Sequence, residues 1–239
     1  MNKKNTFKTI FNLIFNKDFS NNVELTFSQT GEDAIINFLF NAFKINNPSY
    51  IDIGAYNPYW INNTAIFYYR AKGKGINIEP NPIGFQKLKK FRPRDINLNI
   101  GLSNKKGTLT YFVMDADTLN TFSEEEARKN VEKWGHKIIK TMDIPVDTID
   151  NIIAKYSNNI YPDFMNIDAE GVEMDILERI DFIQSKPKII CLETAEYGNT
   201  DMQETDTETV NFLLTKGYFI FSNTYINTIM VDKNLWINR

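Results

Sequence analysis

From residue 50 onward, short runs of apolar and β-branched residues alternate with stretches in which apolar positions recur every three or four residues. Tyr50-Ile51-Asp52-Ile53 reads as a strand closed by a turn at Gly54, and Lys74 to Glu79 as a second, closed by Pro80-Asn81-Pro82. Ile96 to Leu102, Phe164 to Asp168 and Lys188 to Thr194 supply a third, fourth and fifth. Between them, Thr64 to Lys72, Ile83 to Phe91 and the stretch from Asp168 to Ile180 carry helical spacing. Thr205 to Lys216 is a further helix, stopped by Gly217. Such alternation predicts an α/β domain wound around a mostly parallel sheet. Tyr218 to Ser222 and Thr228 to Asp232 are joined too tightly for a parallel crossover, so they pair antiparallel at the end of the chain. Gly107 to Met114 alternates Leu109, Tyr111 and Val113 as an added strand. Residues 115–140 are polar and then helical from Glu124, as an inserted lid would be. Ile144 to Ile153 returns to the core pattern.

The first 27 residues differ from this. Lys3, Lys4 and Lys8 flank Phe7, Ile10, Phe11, Leu13, Ile14 and Phe15, while Asn12 and Asn16 interrupt the apolar run. An amphipathic helical extension over 1–27 is expected ahead of a domain over 28–239. It would pack on the domain, join a homodimer or touch a membrane surface. No stretch approaches the roughly 18 apolar residues of a membrane span, so a cytoplasmic protein is expected. The net charge of −3 offers no bulk field for nucleic acid. The single cysteine, Cys191, lies in an apolar run and excludes a disulfide framework.

In an open α/β sheet, ligands bind beyond the carboxyl ends of the strands, and the polar residues there carry the chemistry. Glu79 ends the second strand, where a carboxylate can accept both ribose hydroxyls of an adenosine. A dinucleotide would also need several glycines for its pyrophosphate. Here only Gly54 fits, with Asn57 and Pro58 where others would stand. S-adenosylmethionine has no phosphate and needs one close backbone approach. Asp52 is a candidate for its ammonium group.

These residues resemble the FkbM-type methyltransferases over roughly 28–222. The matching pieces are Ser28-Gln29-Thr30-Gly31-Glu32-Asp33, Asp52-Ile53-Gly54-Ala55, Asn63-Thr64, Asn77-Ile78-Glu79-Pro80-Asn81-Pro82 and Asn166-Ile167-Asp168-Ala169-Glu170-Gly171-Val172-Glu173. Asn57-Pro58 departs from the pattern, since many relatives carry a glycine there. The resemblance implies a class I, Rossmann-like fold: a mostly parallel seven-stranded sheet with a C-terminal antiparallel strand and an inserted lid. It also implies S-adenosylmethionine as cofactor and O-methylation of sugars or natural products. By resemblance, Gln29 and Gly31 approach the methionine end and Ser103 the adenine edge, while Ala55, Asn63, Thr64, Pro80 and Asn81 complete the cofactor set. Asp33 has a second reading as an N-cap of the helix 34–43.

An alcohol acceptor must lose a proton during transfer, which calls for a positioned base. Asp168 and Glu193 end neighbouring strands in the usual methyltransferase order and are the leading candidates, also as cofactor neighbours. Glu170 and Glu173 follow on the next helix, where one can bind substrate and the other complement the helix N-terminus. His136 is a further base by its ordinary pKa. Asp168 and Glu193 could instead hold Mg²⁺, but a metal-free role is preferred because no third ligand of fixed spacing is evident. Tyr111, Phe112, Trp134 and Tyr197 are candidates for an acceptor pocket, with core packing the cheaper account for at least two. The expected function is therefore an S-adenosylmethionine-dependent O-methyltransferase for a sugar, glycan precursor or related small molecule. A nicotinamide-dependent oxidoreductase and a non-catalytic adenosine-cofactor-binding module are the alternatives.

Overall fold

The computed structural model describes residues 25–169, 171–196, 204–205 and 207–239. The expected N-terminal helix, Glu170 and Tyr197 lie outside the described residues. The chain begins with α1 (Glu32–Ala42), then β1 (Ser49–Ile53), α2 (Ala65–Tyr69), β2 (Lys74–Ile78), α3 (Pro82–Phe91) and β3 (Ile96–Leu98). An excursion follows: β4 (Gly101–Leu102), β5 (Gly107–Met114), a 3₁₀ turn (Asp117–Leu119), α4 (Glu124–Trp134) and β6 (Ile138–Asp147). The core resumes with α5 (Ile149–Ser157), β7 (Phe164–Ile167), α6 (Glu173–Leu177) and β8 (Ile189–Glu193). A short hairpin of β9 (Ala195–Glu196) and β10 (Glu204–Thr205) precedes α7 (Thr207–Thr215), β11 (Tyr218–Asn223), β12 (Asn227–Asp232) and α8 (Lys233–Ile237).

The main sheet has seven strands in the order β11-β12-β8-β7-β1-β2-β3. β12 runs antiparallel to both neighbours, and the remaining pairings are parallel. This is the Rossmann-like sheet that the sequence predicts. Successive strands proceed outward from β1 to β3, and the chain then returns to the other side of β1 with β7. The strand order therefore reverses beside β1, which opens a crevice at the carboxyl ends.

Because side chains alternate faces along a strand, each central strand splits its residues between two cores. Ile51, Ile53, Ile76, Ile78, Met165, Ile167, Ile190 and Leu192 face one side, packed with Ile149, Ile152, Ile153, Ile176, Leu177 and Leu213. Tyr50, Phe164, Ile189 and Cys191 face the other, packed with Ile36, Leu39, Phe40, Ile66 and Phe67. By the same parity, Asp52 shares the face of Tyr50. The register sets it directly beside Asn77 on β2 and Asn166 on β7.

Two readings of the sequence need correction. The third strand breaks after Leu98, since the Asn99 side chain turns back to donate to the carbonyls of Glu79 and Pro80, both at 2.9 Å. Gly101 and Leu102 then pair with β6 in a separate three-stranded sheet. Ile144 to Ile153, which carries the core pattern, divides in two: Ile144 and Val146 end the long arm of the β5–β6 hairpin, and Ile149, Ile152 and Ile153 join the main core from a helix. The excursion from the main sheet therefore runs from β4 to β6, beyond the 115–140 segment expected as an insertion.

Candidate active site

A cleft of about 670 Å³ opens at the carboxyl ends of β1, β2, β7 and β8. The excursion closes its far wall with Tyr111, the turn from Asp117 to Phe122, and Glu126, Lys129, Asn130 and Trp134 of α4. The α4 residues lie at offsets of 0, 3, 4 and 8 along the helix, so they share one helix face.

Gly54 joins the loop after β1 to the loop after β7. Its φ is +78°, and a Cβ there would sit 1.9 Å from the Asp168 carbonyl oxygen. The amide of Asp168 donates to the carbonyl of Ile53 at 3.0 Å, so the two loops are locked backbone to backbone. Only glycine tolerates both the left-handed conformation and the approach. The close approach expected at this glycine is thus made to the neighbouring strand end.

Glu79 sits at the end of β2 with its carboxylate held from behind. One oxygen accepts from the Tyr56 amide at 2.6 Å and the other from the Asn81 amide at 2.7 Å. Gly84 lets α3 lie close, since a Cβ would meet the Glu79 Cγ at 3.0 Å. Burial raises the Glu79 carboxyl to about 7 against the pull of those two amides, with Asp52 and Asp117 adding repulsion. Its residue lines the cleft.

Asp168 and Glu193 lie together on the cleft floor. Asp168 is open to the cleft but walled by protein on its other sides. Its carboxyl is pushed well above the usual range, first by desolvation, then by the charge of Glu193 and by a hydrogen bond between the two side chains. Glu173 and Asp52 add to the repulsion. The charge of one carboxyl so placed disfavours ionisation of the other. Glu173 itself accepts from the amides of Ala169 at 3.1 Å and Gly171 at 3.0 Å, bracing the loop that carries Asp168.

A model of the methyltransferase FkbM domain matches residues 52–220, which is more than half the chain. The chain belongs to the FkbM methyltransferase family. Among solved structures, it is similar to the methyltransferase FkbM from Methylobacillus flagellatus KT, with 18% identity and a TM-score of 0.44. That likeness covers 77% of this chain and 43% of the other, so this chain spans less than half of that protein's length. A putative RNA methyltransferase from Pyrococcus horikoshii gives 9% identity and a TM-score of 0.35, covering 88% of this chain and 91% of that one. No curated protein matches.

In this FkbM-family protein, Gln29, Gly54, Glu79, Pro80, Asn81, Asp168 and Glu193 all line the cleft. Gln29 is carried by a strap that buried acids pin down. Asp33 accepts from the Phe27 amide at 2.7 Å and the Ser28 hydroxyl at 2.8 Å. Glu32 accepts from Thr30, from the Thr224 hydroxyl at 2.7 Å and from the Asn227 amide nitrogen at 2.9 Å. The helix starts at Glu32 with Gly31 as N-cap, so Asp33 braces the strap and the N-cap reading is corrected. Asn81, by contrast, caps α3 through its side chain to the Ile83 amide at 3.0 Å.

Other expected residues stand behind the cleft. Asp52 is 1% exposed, and its carboxylate accepts from Asn62 at 3.0 Å, Thr64 at 2.6 Å and Asn166 at 3.0 Å. Asn63 donates to Asn166 at 2.9 Å, and Ala55 offers its carbonyl to Asn62 at 3.0 Å. Ser103 is buried at the base of the excursion, its amide donating to Asp147 at 3.1 Å. His136 follows α4 and pairs through Nδ1 with Asp115 at 2.9 Å, outside the cleft lining. Of the aromatic candidates, Tyr111 and Trp134 line the cleft, and Phe112 does not.

Two features escape the sequence reading. Tyr56 and Trp60 line the cleft from the loop after β1, where an isolated aromatic pair carries no periodic signal. Arg92 is fully buried behind the floor, donating to Asn62, Thr64 and Asp95. Its place beside Pro93 gives only a helix-end signal.

Proposed function

We propose that this protein transfers the methyl group of S-adenosylmethionine to a hydroxyl of a sugar, glycan precursor or related small molecule. The observation that carries the reading is the hydrogen-bonded Asp168–Glu193 pair sharing a cleft with the amide-braced Glu79. Family membership supports the cofactor. The donor set fits it: Glu79 lines the cleft at the end of β2 and offers its remaining carboxylate lone pairs to ribose hydroxyls. When bound, S-adenosylmethionine supplies an electrophilic methyl carbon.

The remaining work falls to the chain. Gln29 would meet the methionine end, and Pro80 and Asn81 would flank the nucleoside. Asp52 acts at one remove, holding Asn62 and hence the carbonyl of Ala55 and the loop after Gly54. The ionised member of the Asp168–Glu193 pair takes the acceptor's hydroxyl proton as its oxygen attacks. Alignment of donor and acceptor supplies much of the rate in such a displacement, and a positioned base adds roughly 10²–10⁴-fold. Tyr111, Trp60 and Trp134 offer flat apolar surfaces against which an acceptor ring can rest. We take the base to be metal-free because the two floor carboxyls bond to each other.

Incubation with radiolabelled S-adenosylmethionine and a panel of sugars, glycans and polyketides tests this directly. Transfer to an oxygen that persists in EDTA is the expected result. Cofactor binding with no transfer across the panel would count against the acceptor class. Tight NAD binding with no response to S-adenosylhomocysteine would overturn the reaction itself.

A further inference from the structure

The flank of the domain beside the cleft mouth is built unlike the rest of its surface. α3 buries Gly84 and Leu88, with Phe85 half-buried beside them. The opposite side of that helix would ordinarily be polar. Here it carries Ile83, Lys87, Lys90 and Phe91, spaced 0, 4, 7 and 8 positions along one stripe. Ile83 is 64% exposed and Phe91 41%, and both line a shallow apolar groove with Pro82, Gln86 and the two lysines. Tyr59, 49% exposed, packs edge-on against Phe91 at 5.7 Å, and its neighbour Trp60, 56% exposed, reaches the cleft. The patch therefore continues to the cleft mouth.

Its charge is one-sided. Residues 81–94 contain five cations and no acid, in a chain whose net charge is −3. Only Arg92 of the five is buried. Arg70, Lys72 and Lys74, just before, are exposed as well. Among the described residues, none of Lys87, Lys89, Lys90, Arg70, Lys72 and Lys74 has a carboxylate partner. Exposed aromatic and branched residues set among unpaired lysines match the interface of an anionic bilayer. There, rings lodge at the headgroup level and lysines meet lipid charge.

We propose that the outer face of α3, with Tyr59 and Trp60, docks this protein on an anionic lipid surface, with the cleft mouth beside that surface. The acidic cleft would be turned away from like charge by the same field that draws α3 in.

The test uses the full chain with vesicles of phosphatidylcholine, with and without phosphatidylserine. Binding should require phosphatidylserine and fade in about 0.5 M salt, where screening shortens to a few ångströms. The triple substitution Lys87→Glu, Lys89→Glu, Lys90→Glu should lower partitioning at least about a hundredfold, since each lysine near such a surface contributes several-fold. Its unfolding temperature and its affinity for S-adenosylhomocysteine should not change. Ile83→Ser should cost about tenfold by removing one inserted side chain. Equal binding to neutral vesicles, or anionic binding that survives the triple substitution, would overturn the proposal. So would failure to bind vesicles alongside lysine-dependent binding of RNA, which would make the patch a nucleic-acid surface.

Discussion

Behind the cleft floor, Asp52 and Asp95 are buried acids, and the oxygens of both carboxylates are met from within. Arg92 donates to Asp95 at 2.9 Å and lies 3.9 Å from Asp52, while Tyr50, Gly75 and Asn77 complete the shell of Asp95. On the floor itself, Asp168 and Glu193 hold each other, with the carboxyl of Asp168 driven upward by desolvation and by the charge of Glu193. One cluster sets a cation among its acids and closes its hydrogen bonds from within; the other brings two acids together where the cleft opens. Buried polarity that the protein satisfies is architecture, and buried polarity left open toward a cleft marks where a ligand's groups are to complete it. Glu32 belongs with the first kind. Burial alone would raise its carboxyl, but hydrogen bonds from Thr30, Asn227 and Thr224 outweigh it and hold the group below its ordinary value.

The contrast is sharpest at Asp168. Asp168→Asn should lower the methyl-transfer rate about 10²–10⁴-fold with little change in donor affinity, read by single-turnover kinetics. Stability should move the other way. A carboxyl raised in the folded state lends stability at acid pH that is lost as pH rises through its folded pKa, so the amide variant should unfold at a higher temperature than wild type in alkaline buffer. A wild-type rate in this variant would remove Asp168 from the mechanism.

Arg92→Met should break the other cluster. Removing one partner of a buried ion pair leaves the rest uncompensated and costs about 3–5 kcal/mol, measurable as a lower denaturation midpoint. A loss below about 1 kcal/mol would show that the network is not holding charge in the way described.

Glu79 stands between the two kinds, braced from behind and open in front. Glu79→Gln should weaken S-adenosylhomocysteine binding roughly ten- to hundredfold, the range of a charge-assisted hydrogen bond at about 1.5–3 kcal/mol. In the wild type, Glu79 titrates near 7 before ligand arrives. Donor affinity should therefore fall about tenfold per pH unit below that point, and the slope should vanish in Glu79→Gln. The stability contribution has the opposite trend, being complete below the carboxyl range of the unfolded chain and lost as pH rises through about 7. Calorimetry across pH checks both. The smallest effect is expected at His136, whose ring meets Asp115 outside the cleft. His136→Ala should alter activity less than threefold and stability by no more than about 0.5 kcal/mol.

The sheet was legible because β1, β2, β7 and β8 carry short, mainly apolar runs, and the polar residues that end β2, β7 and β8 locate Glu79, Asp168 and Glu193. Asp52 was legible only in part. A carboxylate near a strand end reads as a ligand contact, and nothing local reveals that Asn62, Thr64 and Asn166 converge on it from elsewhere in the chain. The break after Leu98 was hidden because apolar alternation runs through Asn97 and Asn99 without a glycine or proline. The true extent of the β5–β6 excursion was obscured by Ile144 and Val146, which are buried in the three-stranded sheet rather than the main one. Alternation with Thr141, Asp143 and Asp147 is the mark of an arm with one wet side.

The fusion of Gly54 to Asp168 divides the molecule's freedom to change. The loop after β1 and the loop after β7 share one joint and must be inherited together, because a side chain at Gly54 would separate them. Among the described residues, no backbone hydrogen bond ties the excursion from β4 to β6 to these loops; it leaves the core after Leu98 and returns before Ile149. A lineage could lengthen, shorten or exchange it and meet new acceptors while the reacting centre stayed as it is, so diversification of substrates in this fold should be written mainly between those two residues.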